Sequence, residues 1–366
     1  MTLQNYWWLL IWLLIFGIAS MLINMQHDGT VNGRRLVVWK PFFAIALVLP
    51  LVIWAGWRKG FGDTEQYRNT FFALPSSFDQ IIPYLQENKK GPGFRLFEIV
   101  FKCFFGNADI AFFTIVAIIQ MACLIYVYRR YSPDYWLSIF FFVASTDYLS
   151  WMHNGIRQFL AATIVFLCVP LIANKRFWLA VLLVLLAVPI HSSVLIFLPF
   201  IFIVNGKAWN FRTLLFILVV VLASVFLERA TGIITAAMEN TEYEGDIEYL
   251  LKEDVGTNIF RVLFYSVPAV MSLFFRSYID RAEDPLINVC TNLSIVTAGF
   301  YVFSYFTSGV LMGAIPIYFS LSNYILIPWL LKEVFEHRTA QILKGVFIVV
   351  YVLFFYYQCG ITWGIL

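Results

Sequence analysis

The chain has 366 residues, 61% of them hydrophobic, 19% aromatic and only 13% charged, with a net charge of +3 and a mean hydropathy of +0.79. A soluble globular protein carries about 45–50% apolar and about 25% charged residues, so an ordinary soluble fold is excluded. The apolar residues run in segments long enough to cross a bilayer as helix, not in short alternating strands, which excludes a membrane barrel as well.

Taken in chain order, hydropathy predicts an all-α, polytopic integral membrane protein with about twelve transmembrane helices. They fall near 6–24, 38–57, 109–128, 135–152, 155–173, 177–190, 193–205, 211–227, 258–275, 287–305, 309–331 and 341–360. The first of these has neither the basic flank nor the small-residue cleavage site of a signal peptide and reads as a retained span. Residues 58–108 form a large loop, within which "FRLFEIVFKCFFG" (94–106) is too short and too charged to cross and reads as a re-entrant or interfacial helix. A second large loop, 228–257, is strongly acidic. The whole chain, 1–366, reads as one transmembrane domain. Its five cysteines lie singly inside or beside apolar runs, without the spacing of a metal or disulfide framework, and read as core residues.

Lysine and arginine recur in every second connection: Arg34, Arg35 and Lys40; Arg129 and Arg130; Lys175 and Arg176; Lys207 and Arg212; Arg276 and Arg281; Lys332 and Arg338. Basic connections stay cytoplasmic, so both termini and both large loops face outward. That orientation leaves a second set of arginines in the wrong place. Arg157 opens the fifth span, Arg261 lies one turn into the ninth, and Arg68 and Arg95 sit in the first large loop, all on the external side.

Arginine's planar fork binds phosphate or carboxylate in two places and keeps its charge. A lipid diphosphate at the outer membrane surface suits such a set. Any one of these arginines reads equally well as snorkelling to ordinary headgroups or pairing with Asp63, Glu65 or the acidic loop. Together, with Arg157 deepest, they point to a ligand. His153, Asn154 and Arg157 are spaced to share one helical face, so His153 or Asn154 would orient the guanidinium. His191, in "PIHSS" at the next external turn, suits either a structural role or proton transfer. No phosphate-binding glycine loop, zinc-protease motif or nucleophile elbow occurs, nor any nucleic-acid footprint beyond the cytoplasmic basic pairs. The carboxylates in "GDTEQYR" are too few for a calcium loop.

The order "GDTEQYRNTF", "GPGFRLFEIVFK", "YRRYSPDYWLSIFFF", "NGIRQFLAATIVF" and "LAVPIHSSVLIFLPFI" resembles the EpsG-type, Wzy-like exopolysaccharide polymerases over about residues 58–330. The most telling pieces are Asn154, Arg157, Gln158 and Ala161, with the His-Ser-Ser that follows. One departure stands out: Ile315 and Pro316 occupy the neighbourhood where that family often carries an arginine before "YF". The resemblance implies a membrane glycosyltransferase of the bacterial cytoplasmic membrane with an outward-facing site, using no metal or other cofactor. It would join undecaprenyl-diphosphate-linked oligosaccharide repeat units of an O-antigen, capsule or exopolysaccharide, with membrane lipid and a chain-length regulator as partners and no nucleic acid. On that reading Arg157 and His191 are catalytic, and Arg68, Arg95 and Arg261 bind diphosphate. Asp63, Glu65, Asn154 and Gln158 serve as acid, base or sugar contacts. An O-antigen ligase-like transferase, a membrane acyltransferase and a lipid-linked oligosaccharide flippase are the competing readings.

Overall fold

The computed structural model describes residues 6–31, 34–239, 244 and 256–365. Helices dominate, and the chain divides into two compact units. The first comprises Met1–Ile164, Leu186–Ser192 and Leu331–Leu366; the second comprises Val165–Leu185 and Ser193–Leu330.

The first unit begins with α1 (Tyr6–Leu22), a hairpin of β1 (Gln26–Val31) and β2 (Arg34–Trp39), and α2 (Pro41–Gly56). Pro41 opens α2 at the position where a missing N–H costs nothing. The first basic connection is that antiparallel hairpin, registered from Gln26 opposite Trp39 to Val31 opposite Arg34. Arg129 ties it down by donating from Nε to the Trp39 carbonyl at 2.6 Å. Next come α3 (Thr64–Ala73), α4 (Ile81–Glu87), α5 (Pro92–Phe105), α6 (Asp109–Tyr131) and α7 (Tyr135–Ala144). Asp134 caps α7, accepting from the Leu137 N–H at 3.0 Å, and pairs with Lys344 at 2.5 Å. A wide π-turn segment, Tyr148–Asn154, and a break at Gly155 then lead into α8 (Ile156–Phe166).

The second unit is assembled around the buried helix Pro285–Phe306. Its side chains satisfy the connection at 204–209. Asn288 accepts from the Ala208 N–H, while Asn292 accepts from Trp209 and donates to the carbonyls of Val204 and Lys207, each at 3.0 Å. Asn210 and Asn258 cap the helices Phe211–Val225 and Ile259–Phe274, and Asp284 caps Pro285–Phe306. These are the side chains that satisfy orphan N–H groups at helix starts.

The expectation of about twelve spans is not confirmed. Four described helices are long and apolar enough to cross a membrane, or up to seven if each bent pair counts as one span. The reason is local: hydropathy runs through bends that interrupt the helix. Phe211–Val225 meets Leu227–Met238 at 104°, Ile259–Phe274 meets Arg276–Ala282 at 69°, and Met312–Ser320 meets Asn323–Val334 at 49°. Other apolar helices, such as Tyr135–Ala144 and Phe177–Ala187, are shorter than 18 residues. The segment expected as re-entrant or interfacial is α5. Most of the acidic loop, 240–243 and 245–255, lies outside the described residues.

Candidate functional site

Arg157 and the turn that carries His191 meet the start of α5. Gly91 precedes the helix at φ +60°, a left-handed conformation that favours glycine, and Pro92 occupies the first turn. A Cβ on Gly91 would lie 2.9 Å from Arg157 Nη1 and 3.1 Å from the Ile190 carbonyl oxygen. The neighbouring Gly93 N–H donates to the Pro189 carbonyl at 2.7 Å. The "GPG" sequence therefore lets the start of α5 lie directly against Arg157 and the turn that carries His191.

Around this contact the charges are close and partly dehydrated. Arg95 Nη1 donates to Glu98 Oε2 at 2.6 Å. Glu98 is wholly buried, and its Oε1 has no hydrogen-bond partner among the described residues. Burial pushes its carboxyl up to about 7, against the pull of Arg95 and Arg157. Burial, with the Arg157 charge second, pushes His191 down to about 4, so its imidazole is neutral near pH 7. Arg157 itself is half-buried, and its Nε is enclosed without a hydrogen-bond partner.

Asn154 is committed differently from expectation. It does not share a helical face with His153 and Arg157, because the π-turn ends at Asn154 and Gly155 breaks the backbone before α8. Asn154 Oδ1 accepts from the Asp63 N–H at 2.9 Å, and Gly62, at φ +51°, lies so close that a Cβ would meet Asn154 Oδ1 at 2.2 Å. His153 turns inward, fully buried, with ring centroids 6.0 Å from Tyr6, 5.9 Å from Phe61 and 5.0 Å from Tyr148. Neither His153 nitrogen has a hydrogen-bond partner among the described residues. Burial holds it well below the ordinary histidine range. It is a packing residue of the first unit, not an orienter of Arg157.

The other expected residues are placed as follows. Asp63 and Glu65 are exposed at the start of α3, and partial desolvation raises the Asp63 carboxyl. Arg68 pairs with Asp109 at 2.8 Å. Gln158 is half-buried in the first turn of α8. Arg261 belongs to the second unit, where its guanidinium lies 5.7 Å and 5.9 Å from the ring centroids of Tyr265 and Tyr301. Those two rings are themselves stacked at 4.7 Å.

Sequence reasoning missed three charged residues. Glu98 and Lys102 share a face of α5 with Arg95, at spacings of three and four residues, a pattern that was there to be read. Lys102 closes the end of α3 by donating to the carbonyls of Phe71, Phe72 and Leu74 at 3.1, 2.7 and 2.6 Å. Arg58 follows α2 and is 2% exposed, with Nη1 donating to the Met152 carbonyl at 2.5 Å and the guanidinium 4.4 Å from the Phe113 ring. Burial lowers it to about 10, still a cation at neutral pH. Nothing in the sequence separates Arg58 from an ordinary span-flanking arginine.

A family model described as the EpsG family matches residues 41–360. The chain belongs to the EpsG family. The match takes in every residue described above from Arg58 to Arg261, together with the α5 contact. No curated protein and no solved structure matches the chain. EpsG membership suggests a polysaccharide polymerase-like, glycosyltransferase-like function, and with the apolar helices it points to a membrane protein.

Proposed function

We propose that this EpsG-family protein is a polysaccharide polymerase that joins undecaprenyl-diphosphate-linked oligosaccharide repeat units on the outer side of the bacterial cytoplasmic membrane. The observation that carries this reading is the position of Arg157, a guanidinium with an enclosed, unpartnered Nε held against the glycine-built start of α5 and beside His191. A fork held in place, with no ion pair among the described residues, suits an incoming anion.

Glycosyl transfer from a lipid diphosphate breaks the bond between the sugar anomeric carbon and the bridging oxygen. Negative charge builds on that oxygen as the acceptor hydroxyl attacks. A fixed guanidinium strengthens its hold as the charge grows, which lowers the barrier more than it stabilises bound substrate. Arg157 takes this role. Neutral His191 accepts the proton of the acceptor hydroxyl or donates to a phosphate oxygen, and the exposed Asp63 and Glu65 are alternative bases. Asn154 and Gln158 contact sugar or orient the site. Arg68 and Arg95 bind diphosphate only by exchanging their present partners, Asp109 and Glu98, whereas Arg261, over two tyrosine rings, contributes little.

The test is polymerisation in nanodiscs, with purified protein and synthetic lipid-diphosphate-linked repeat units and without nucleotide sugar. A ladder of products that disappears with Arg157→Ala supports the proposal. Transport of the lipid-linked unit across a vesicle bilayer, with no ladder, replaces the polymerase with a flippase.

A further inference from the structure

Glu98 is a buried carboxylate with no place in the chemistry above. It lies on the inner face of α5, wholly buried, one oxygen on Arg95 at 2.6 Å and the other without a hydrogen-bond partner among the described residues. Two positive groups bear on it: Arg95 from its own helix and Arg157 from α8. Lys102, one turn further along α5, is occupied by the carbonyls of Phe71, Phe72 and Leu74. On the other side of Arg157, His191 is neutral.

A guanidinium held in a partly dehydrated site is costly unless an anion lies beside it. In the absence of substrate, Glu98 supplies that anion. We infer that Glu98 is a positioning residue: it holds the Arg95 fork ready beside Arg157 as an internal counter-ion, and a bound diphosphate displaces it from that role. This rests on the reading of Arg157 as a diphosphate ligand.

Once a diphosphate draws the charge of both arginines, Glu98 loses the attraction that keeps it ionised and acquires an anionic neighbour. Its carboxyl, already pushed up to about 7 by burial, rises further and takes up a proton. Diphosphate binding is therefore coupled to proton uptake near neutral pH and weakens as pH rises. A pKa rise of roughly one unit on binding corresponds to a tenfold range of affinity between the acid and alkaline limits.

The experiment is calorimetry on the full-length protein in nanodiscs, titrated with a short-chain prenyl diphospho-sugar. Both phosphates of that probe are esterified and do not titrate near neutrality. Measurement at pH 7.5 in two buffers of different ionisation enthalpy gives the number of protons taken up, and a series from pH 6 to 9 gives the affinity profile. Wild type is expected to take up a fraction of a proton and to lose up to about tenfold in affinity across the series. Glu98→Gln is expected to bind with no proton uptake and a flat profile. Arg95→Gln, which keeps the carboxyl but removes its partner, raises Glu98 before binding and cuts the uptake, and this arm serves if Glu98→Gln does not fold. Binding by all three proteins with the same proton count overturns the role of Glu98 and leaves the Arg157 reading standing. No binding by wild type overturns the diphosphate reading itself.

Discussion

Arg157 and Arg261 look alike in the sequence: each sits near the mouth of an apolar helix, with polar residues shortly before it. The structure gives them different lives. Arg261, in the second unit, lies over the faces of Tyr265 and Tyr301, an arrangement in which ring quadrupoles offset its charge. Arg157, in the first unit, has instead the backbone of Gly91 at its Nη1, a neutral imidazole nearby, and a carboxylate already bound to another arginine. An arginine's position along an apolar helix says that a charge must be compensated. It does not say whether a side chain within the fold or a ligand does so.

That contrast can be broken or sharpened by substitution. Arg157→Lys is expected to reduce polymerisation by roughly a hundredfold or more, because a point charge cannot replace a two-pronged contact to phosphate. Product ladders from protein shown by gel filtration to be folded measure it. Arg261→Lys keeps a cation over the tyrosines and is expected to stay within about threefold of wild type in the same assay. Between the two lies Gly91→Ala, which places a methyl group 2.9 Å from Arg157 Nη1 at a positive φ. It is expected to lose roughly 1 kcal/mol of stability, and more where the native conformation resists the change, together with about tenfold in activity from the displaced fork. Thermal unfolding and ladders from the same sample separate the two effects.

The pH dependence of stability distinguishes His153 and His191 from Glu98. Both histidines are held neutral by burial, so the unfolded chain binds protons that the folded one does not once pH falls below about 6.5. Stability is therefore lost on the acid side, down to about pH 4 for His191. Glu98 has the opposite sign: its contribution is fully present below the unfolded carboxyl range near 4.5 and is lost as pH rises through about 7. His153→Phe, set among Tyr6, Phe61 and Tyr148, is expected to leave the neutral-pH melting temperature nearly unchanged. It should recover up to about 2 kcal/mol of the stability lost by pH 5. Melting curves at pH 7.5 and 5 measure this. Asp134→Ala, which removes the α7 cap and the partner of Lys344, is expected to cost about 1 kcal/mol in the same melting curves.

Much of the fold was legible in local chemistry. The Asp and Asn caps at 134, 210, 258 and 284, and the prolines opening the helices at 41, 92 and 285, announce their helix starts. The bends at Phe226 and Phe275 were not legible, because those residues are as apolar as the helices they interrupt, whereas the third bend falls at the polar Ser320, Ser322 and Asn323. In the site, Arg157 stood out because a charge in an apolar helix is costly, and the structure brings it together with His191 and the start of α5. The shared face of His153, Asn154 and Arg157 failed because a π-turn and Gly155 replace the regular helix that the spacing assumed. Glu98 passed unnoticed in an amphipathic segment, since its meaning comes from Arg157, 59 positions later in the chain. Pairings at that distance are decided by tertiary packing.

What separates the two arginines is the pair of tyrosine rings under Arg261, since the Nε of each is enclosed without a hydrogen-bond partner among the described residues. The most direct test of that separation is the affinity of a short-chain prenyl diphospho-sugar for wild type, Arg157→Lys and Arg261→Lys in nanodiscs. A loss of at least about tenfold is expected for Arg157→Lys, the equivalent of one charge-assisted hydrogen bond, and a change within about twofold for Arg261→Lys. Equal losses, or a larger loss at Arg261, would contradict it.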